Sequence, residues 1–213
     1  MPKPIIILFA RAPRLGCVKR RLAAGIGAVP ALRFYRNQLS RISRHLKPFQ
    51  TITAVTPRNA TWPRQIRPTI PQSAGNLGAR MHNAFKSFKN RPAILIGADI
   101  PALTAPIIRA AIKTLTHHDA VFGPAEDGGY YLVGMARRRP AKPFANVRWS
   151  TTHALSDTLR NFPESFKIAT LPTLADIDTP ENLQNQPHIP HCGAPQNALT
   201  LSLVAESVSH HQS

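Results

Sequence analysis

The sequence predicts an α/β fold, a three-layer αβα arrangement with helices on both faces of a mostly parallel sheet. The first observation is that apolar runs such as residues 5–9 and 93–98 lack the alternation of a strand with one solvated face. Such runs are typical of strands covered on both faces. The second is that helical periodicity separates these runs, and the third is that Asp99 directly follows one of them.

The predicted elements alternate along the chain. Strands are predicted at residues 4–10, 50–55, 66–70, 93–98, 119–123, 130–135 and 166–171. Helices are predicted from residue 18 or 19, at 31–46, around 80–88, at 104–116, after 150–152 and from residue 179. The last of these has Thr179 as its cap, Pro180 in the first turn and Glu181 near the positive end of the helix dipole. This order is typical of a sheet built from strand–helix–strand units.

The composition narrows the choice of partners. The chain has 213 residues, with 27 Lys and Arg against 10 Asp and Glu, and a net charge of +17. This balance favours anionic partners such as nucleotides, phosphosugars or nucleic acid. The basic residues are scattered, however, which is more typical of a solvated surface than of a nucleic-acid footprint.

Two further features bear on location and redox state. No apolar run approaches the roughly 18 residues of a membrane span, so we expect a cytoplasmic protein without a membrane span. Cys17 and Cys192 lie far apart and indicate neither a disulfide framework nor a metal knuckle.

The loop after the first strand is a predicted anion site. It leads into a helix N-terminus, where free backbone N–H groups and the helix dipole attract negative charge. Gly16 breaks regular structure there, and four cations surround it: Arg11, Arg14, Lys19 and Arg21. The glycine patterns of a P-loop and of a dinucleotide-binding turn are both absent.

The few acids fall beside predicted strand ends. Six of the ten form three short groups: Asp99; Glu126 and Asp127; and Asp176, Asp178 and Glu181. In open α/β sheets, ligands bind beyond the carboxyl ends of the strands. These acids are therefore candidates for holding a metal ion or a polar substrate.

Several motifs together carry a resemblance to a known family. In order, they are FARAP with Gly16, LGARM at 77–81, IGADIP at 96–101, GPAEDGGYYL at 123–132, WST at 149–151 and DIDTPENL at 176–183. The sequence resembles the DUF2064 family of glycosyltransferase-like proteins over roughly residues 5–183. The most specific of these motifs is GPAEDGGYYL.

The resemblance implies a Rossmann-like GT-A fold, the nucleotide-diphospho-sugar transferase architecture. Relatives by fold include nucleotidyltransferases. We therefore expect residues 1–185 to form a catalytic domain and residues 186–213 a polar tail, for which a short helix is the alternative to an irregular chain.

A nucleotide-activated donor carries several negative charges, which a divalent ion held by one or two carboxylates can neutralise. With the resemblance, Asp99 is the first predicted ligand of Mg²⁺ or Mn²⁺, as well as a catalytic residue. Asp178 or Asp176 is the second ligand, although an acid at that point could simply serve the next helix. Arg11, Gly16, Lys19 and Arg21 are the predicted nucleotide and phosphate site, which Arg80 could join.

The loop with two glycines is the predicted acceptor site. Gly128 and Gly129 permit close approach of backbone to a ligand. Asp127 is the second predicted catalytic residue, acting in acceptor binding or as a base, beside Glu126. A hairpin turn with solvated acids is the alternative. Trp149 is either a core residue or part of the acceptor site.

These expectations describe a metal-dependent transferase with a nucleotide donor and a small-molecule acceptor. Glycosyl transfer from a nucleotide-sugar is the leading hypothesis. Nucleotidyl transfer, with release of pyrophosphate from a nucleoside triphosphate, is the alternative. A non-catalytic nucleic-acid-binding module ranks lowest, since only the net charge suggests it and no RNA-binding signature is present.

Overall fold

Seven strands form one sheet in the part of the chain that the structure, a computed structural model, describes, namely residues 2–179 and 182. The strands are β1 (Ile5–Arg11), β2 (Thr51–Thr56), β3 (Thr69–Pro71), β4 (Ala93–Gly97), β5 (Ala120–Pro124), β6 (Tyr130–Met135) and β7 (Ile168–Thr170). Their order in the sheet is β3-β2-β1-β4-β6-β5-β7. Only β6 runs antiparallel to its neighbours β4 and β5, so the prediction of a mostly parallel sheet is confirmed.

Helices cover both faces of this sheet. They are α1 (Arg20–Ile26), α2 (Ala28–Leu46), α3 (Leu77–Lys86), α4 (Ala105–Thr114) and α5 (Ala154–Leu159). Strand β1 shows why its apolar run does not alternate: Leu8 packs in the cluster that contains Leu39 of α2. Its neighbour Ile7 packs in the opposite cluster, with Phe85 of α3. Both faces of β1 are thus buried, and the three-layer αβα prediction is confirmed.

Some boundaries differ from the predicted ones. The third strand begins at Thr69 rather than residue 66, because Arg64–Ile66 forms a short 3₁₀ helix. Helices α1 and α2 are separated only by Gly27, whose φ of 88° breaks the helical path. The predicted last helix includes Pro180 and Glu181, which lie outside the described residues, as do residues 186–213 of the predicted tail.

The strand order indicates where a ligand would bind. After β1 the chain places β2 and β3 on one side and then crosses to β4 on the other. Such a switch point opens a crevice at the carboxyl ends of the two central strands. Among the described helices, none has both the length and the apolar character needed to cross a membrane.

Candidate functional site

Lys19 is the centre of the candidate site. It lies between β1 and α1 in a left-handed conformation, with φ and ψ both 48°. Its side chain is only 3% exposed, and its Nζ lies 2.9 Å from Asp99 Oδ1. The same Nζ donates to the Ile177 carbonyl at 2.7 Å and lies 3.7 Å from Asp178 Oδ1. Three segments that are distant in sequence therefore meet at one ammonium group.

The two acids remain open to solvent although the lysine is buried. The side chain of Asp99 is 57% exposed and that of Asp178 is 34% exposed. Arg21 Nη1 lies 3.2 Å from the other Asp178 oxygen, and its side chain is 71% exposed. We call Lys19, Arg21, Asp99 and Asp178 the carboxyl-edge cluster. It offers both cations and carboxylate oxygens to a ligand arriving from solvent.

The donor set of this cluster can be compared with the needs of a divalent ion. Within residues 2–179 and 182, no group of three or more His, Cys, Asp or Glu could hold a metal. A closed cage of protein ligands is therefore not what these residues build. Asp99 and Asp178 already lie around a single cationic group, and two carboxylates completed by phosphate oxygens and water suit Mg²⁺. The two acids fit an ion that arrives with its substrate.

Asp176 extends the negative side of the site. Burial raises the pKa of its half-buried carboxyl above the ordinary value, and the charge of Asp127 raises it further. Lys19 lowers this pKa and Asp178 raises it. Of the two acids that the sequence offered as second metal ligand, Asp178 is the one in ion-pair contact with Lys19.

The turn between β5 and β6 carries the predicted acceptor residues. Asp127 Oδ1 accepts a hydrogen bond from Gly129 N at 2.8 Å, while Glu126 N donates to the Leu174 carbonyl at 3.2 Å. Gly128 has a φ of 82°, and a Cβ there would lie 2.3 Å from the Thr152 carbonyl oxygen. Glycine is therefore required at this position, and the turn is held beside the segment that leads to Asp176.

Arg11 and Arg80 form a second basic area. Arg11 is exposed at the end of β1, and its charge lowers the pKa of Arg80, which burial lowers more strongly. Arg80 Nη1 donates to Gln72 Oε1 at 3.1 Å, and Gln72 Nε2 in turn donates to the Ala54 carbonyl at 2.9 Å. Gly16, with a φ of 71°, shapes the exposed loop between Arg11 and Lys19.

Two supporting residues escaped the sequence reasoning. The hydroxyl of Tyr35 on α2 accepts from Arg11 N at 2.9 Å and donates to the Arg11 carbonyl at 3.0 Å. Burial raises the pKa of Tyr35, and the negative charge of Asp99 raises it further. A tyrosine among the apolar positions of a predicted helix was the available signal. Gln72 lies in a predicted loop and gave no signal.

Trp149 makes packing contacts. Its ring lies 6.3 Å from that of Tyr130 and 6.5 Å from that of Phe144, between ring centroids. A Cβ on Gly78 would lie 3.1 Å from the Trp149 ring, so α3 approaches this tryptophan closely. These contacts favour the core role that the sequence left open over a role in stacking on a ligand.

The central part of the chain matches a known protein family. Residues 47–151 match the DUF2064 family, whose members are described as an uncharacterized protein conserved in bacteria. The predicted resemblance is thereby confirmed. The matched segment contains Arg80, Asp99 and Asp127, while Lys19 and Asp178 lie outside it. A search of curated proteins found no matching relative.

Solved structures extend the comparison. A "putative nucleotide-diphospho-sugar transferase" from Desulfovibrio desulfuricans G20 is 28% identical, with a TM-score of 0.73 and 84% of each chain covered. The 4-diphosphocytidyl-2C-methyl-D-erythritol synthase of Anaerococcus prevotii DSM 20548 is 13% identical, with a TM-score of 0.55 over 85% of this chain and 95% of that one. Rv0371c from Mycobacterium tuberculosis H37Rv, solved with manganese, is 12% identical, with a TM-score of 0.50 over 86% of this chain and 97% of that one. The last two similarities concern the fold alone.

Proposed function

We propose that this protein is a transferase that uses a nucleotide-activated donor, and that the donor is a nucleotide-sugar whose glycosyl group is transferred. The observation that carries the proposal is the convergence of Lys19, Asp99 and Asp178 at the switch point of the sheet. The 28% identical structural neighbour, assigned to the nucleotide-diphospho-sugar transferases, supports the same class.

Each charged residue has a distinct role in this proposal. Lys19 and Arg21 hold the donor diphosphate, with Arg11 at the end of β1 and Arg80 on α3 beside them. Asp99 and Asp178 hold Mg²⁺ or Mn²⁺, a metal type consistent with the manganese complex of the fold relative. A bound divalent ion supplies neutralisation of the charge that develops on the leaving phosphate.

The acceptor enters from the turn between β5 and β6. Asp127 lies exposed there, beside Glu126, and orients the acceptor hydroxyl or removes its proton. The acceptor oxygen bonds to the anomeric carbon while the bond between that carbon and the diphosphate oxygen breaks. Lys19 and Arg21 stabilise the departing nucleoside diphosphate, because preorganised donors act most strongly on charge that develops in the transition state.

Nucleotidyl transfer is the second candidate. The fold shared with the Anaerococcus synthase, a diphosphocytidyl-forming enzyme by name, is the observation that favours it. Here an acceptor phosphate would attack the α-phosphorus of a nucleoside triphosphate, and pyrophosphate would leave. Product analysis distinguishes the two reactions, since only glycosyl transfer releases a nucleoside diphosphate.

The test is calorimetric titration of UDP, GDP, CDP and ADP and their common sugar conjugates, with and without Mg²⁺ or Mn²⁺. We expect metal-dependent binding of one nucleotide to the unaltered protein and a loss of at least roughly tenfold in affinity in Asp99→Asn. Glu164→Gln is the matched control, because Glu164 is an exposed carboxylate on the segment before β7.

Two outcomes would contradict the proposal. One is equal nucleotide binding by Asp99→Asn and Glu164→Gln. The other is the absence of nucleotide binding together with nucleic-acid binding of steep salt dependence, unaffected by Asp99→Asn, which would support the nucleic-acid-binding module instead.

A further inference from the structure

A cavity of about 560 Å³ lies between α2, the loop after β1 and the loop after β2, and its lining includes none of the four residues of the carboxyl-edge cluster. Its walls include Pro13, Arg14, Arg36, Leu39, Trp62 and Pro63. Pro13 and Arg14 belong to the loop that the sequence predicts as an anion site, but none of these residues has a role in the proposed donor or acceptor site. A volume between about 300 and 1,000 Å³ is usual for sites that bind small organic molecules.

Trp62 forms part of the wall of this cavity. The residue is only 7% exposed, and its Nε1 has no hydrogen-bond partner among the described residues. A buried N–H group without an acceptor costs about 1–3 kcal/mol. That N–H group is closed to solvent, so Trp62 presents its ring surface rather than its donor to a molecule in the cavity.

Two arginines give the cavity its charge. Arg14 and Arg36 both line it and both are exposed. Neither forms an ion pair with a carboxylate in the described part of the chain. Guanidinium groups bind phosphate and carboxylate oxygens through paired charged hydrogen bonds. The charge of the cavity therefore favours an anion.

The remaining walls are apolar. Leu39 is 1% exposed, and Pro13 and Pro63 are half-buried at the same cavity. An inorganic ion would leave these apolar surfaces and the Trp62 ring in contact with water. A ligand with an apolar or aromatic body and one anionic group would use both kinds of wall, since burial of apolar area adds to affinity.

We propose that this cavity binds a small organic phosphate monoester, with the phosphate at Arg14 and Arg36 and the apolar body against Trp62. Two cations match the charge of a phosphate monoester better than that of a carboxylate. The proposal is independent of the transferase reaction, because it concerns residues that the donor and acceptor sites do not use.

The experiment uses tryptophan fluorescence to locate binding. The chain has two tryptophans, so Trp149→Phe leaves Trp62 as the single reporter. Phenyl phosphate is the probe, with inorganic phosphate and benzoate as comparisons. We expect a saturable change in Trp62 fluorescence with phenyl phosphate and weaker binding of the other two. Calorimetry on the otherwise unaltered chain measures the same affinities without relying on Trp149→Phe.

A matched pair of variants separates a site from general attraction to a protein of net charge +17. Arg36→Gln should weaken phenyl phosphate binding about tenfold, since charged hydrogen bonds are lost. Arg33→Gln removes an exposed arginine of the same helix that does not line the cavity, and should change the affinity by no more than about twofold. Equal effects of the two variants would overturn the proposal, as would unchanged Trp62 fluorescence or benzoate binding as tight as that of phenyl phosphate.

Discussion

Charged residues are arranged differently in two regions of this molecule. In the carboxyl-edge cluster, one buried lysine faces two acids that remain open to solvent. Elsewhere, Arg139 donates to the carbonyls of Phe85, Arg91 and Ala136 at 2.6, 2.6 and 2.9 Å. Burial lowers the pKa of Arg139 to about 10. Its hydrogen bonds hold the end of α3 against the chain after β6.

Asp157 on α5 is a second charge of the structural kind. Arg148 donates to it through Nε at 2.8 Å, through Nη2 at 2.9 Å and through its backbone N at 3.1 Å. Arg160 Nη1 lies 3.2 Å from the same carboxylate, whose side chain is 6% exposed. The hydrogen bonds from Arg148 hold the pKa of Asp157 well below its usual range.

The contrast shows how a site differs from a structural contact. Arg139 and Asp157 have their hydrogen-bonding capacity taken up by the protein itself, so they have little left for a ligand. Asp99 and Asp178 keep oxygens exposed to solvent, while Lys19 holds them near each other. Substitutions in the first group should therefore affect stability, and substitutions in the second should affect ligand binding and catalysis.

Lys19→Met should have the largest effect on activity. We expect kcat/KM to fall roughly 100-fold, because a preorganised cation at the leaving phosphate is lost. The free energy of unfolding should fall by about 1–3 kcal/mol, because the buried Ile177 carbonyl loses its donor while water can solvate the carboxylates of Asp99 and Asp178. Steady-state kinetics and urea titration measure both quantities, with Lys89→Met as an exposed control. A fall in the free energy of unfolding with kcat/KM per folded molecule unchanged would contradict the assignment of Lys19 to the site.

Arg139→Met should lower the stability of the protein and leave its activity unchanged. Several carbonyls would lose their donor, so the free energy of unfolding should fall by about 3 kcal/mol. Activity per folded molecule should be unchanged, because Arg139 contacts none of the cluster residues. Urea titration beside the exposed control Arg137→Met checks the first point. Equal stability of the two variants would show that these hydrogen bonds contribute little.

The stability cost of Asp157→Asn should depend on pH. Arg148 stabilises the ionised carboxylate in the folded state, so the folded pKa lies below the ordinary value of 3.8. The stability that Asp157 contributes is fully present above that value and is lost as the pH falls through the folded pKa. The urea midpoint of the variant should be lower than that of the unaltered protein at neutral pH. The two midpoints should approach each other below about pH 4, and a constant difference would contradict the ion-pair explanation.

Arg21→Gln should have the smallest effect. Its ion pair with Asp178 is exposed, so the free energy of unfolding should change by less than about 1 kcal/mol. Nucleotide affinity should fall about threefold at low salt and converge with that of the unaltered protein at high salt, because exposed charges are screened. Titration at two salt concentrations, with Arg20→Gln as the neighbouring exposed control, measures this. A salt-independent loss would indicate a more buried role for Arg21.

The amino-acid sequence by itself determined the layers of this fold. Runs such as that of β1 exclude a solvated face, and the helical spacing between the strands supplies the cover for both faces. The same reasoning placed Asp99 and Asp127 next to strand ends, because strands end where apolar runs stop. Boundaries such as that of β3 could not be predicted, since Ile66, its first predicted residue, ends a short 3₁₀ helix and the strand begins only at Thr69.

Only the tertiary structure decided which charges meet. Lys19 contacts the Ile177 carbonyl 158 residues away, and no local pattern specifies a contact across that separation. The sequence predicted Lys19 as a phosphate ligand and Asp99 with Asp178 as metal ligands, but not their common contact. The sequence also gave no sign of the unpartnered Trp62 or of the cavity beside it, because both arise from packing of α2 against an irregular proline-rich segment. Sequence periodicity reports burial within one element, whereas a site depends on how the elements are arranged around the sheet.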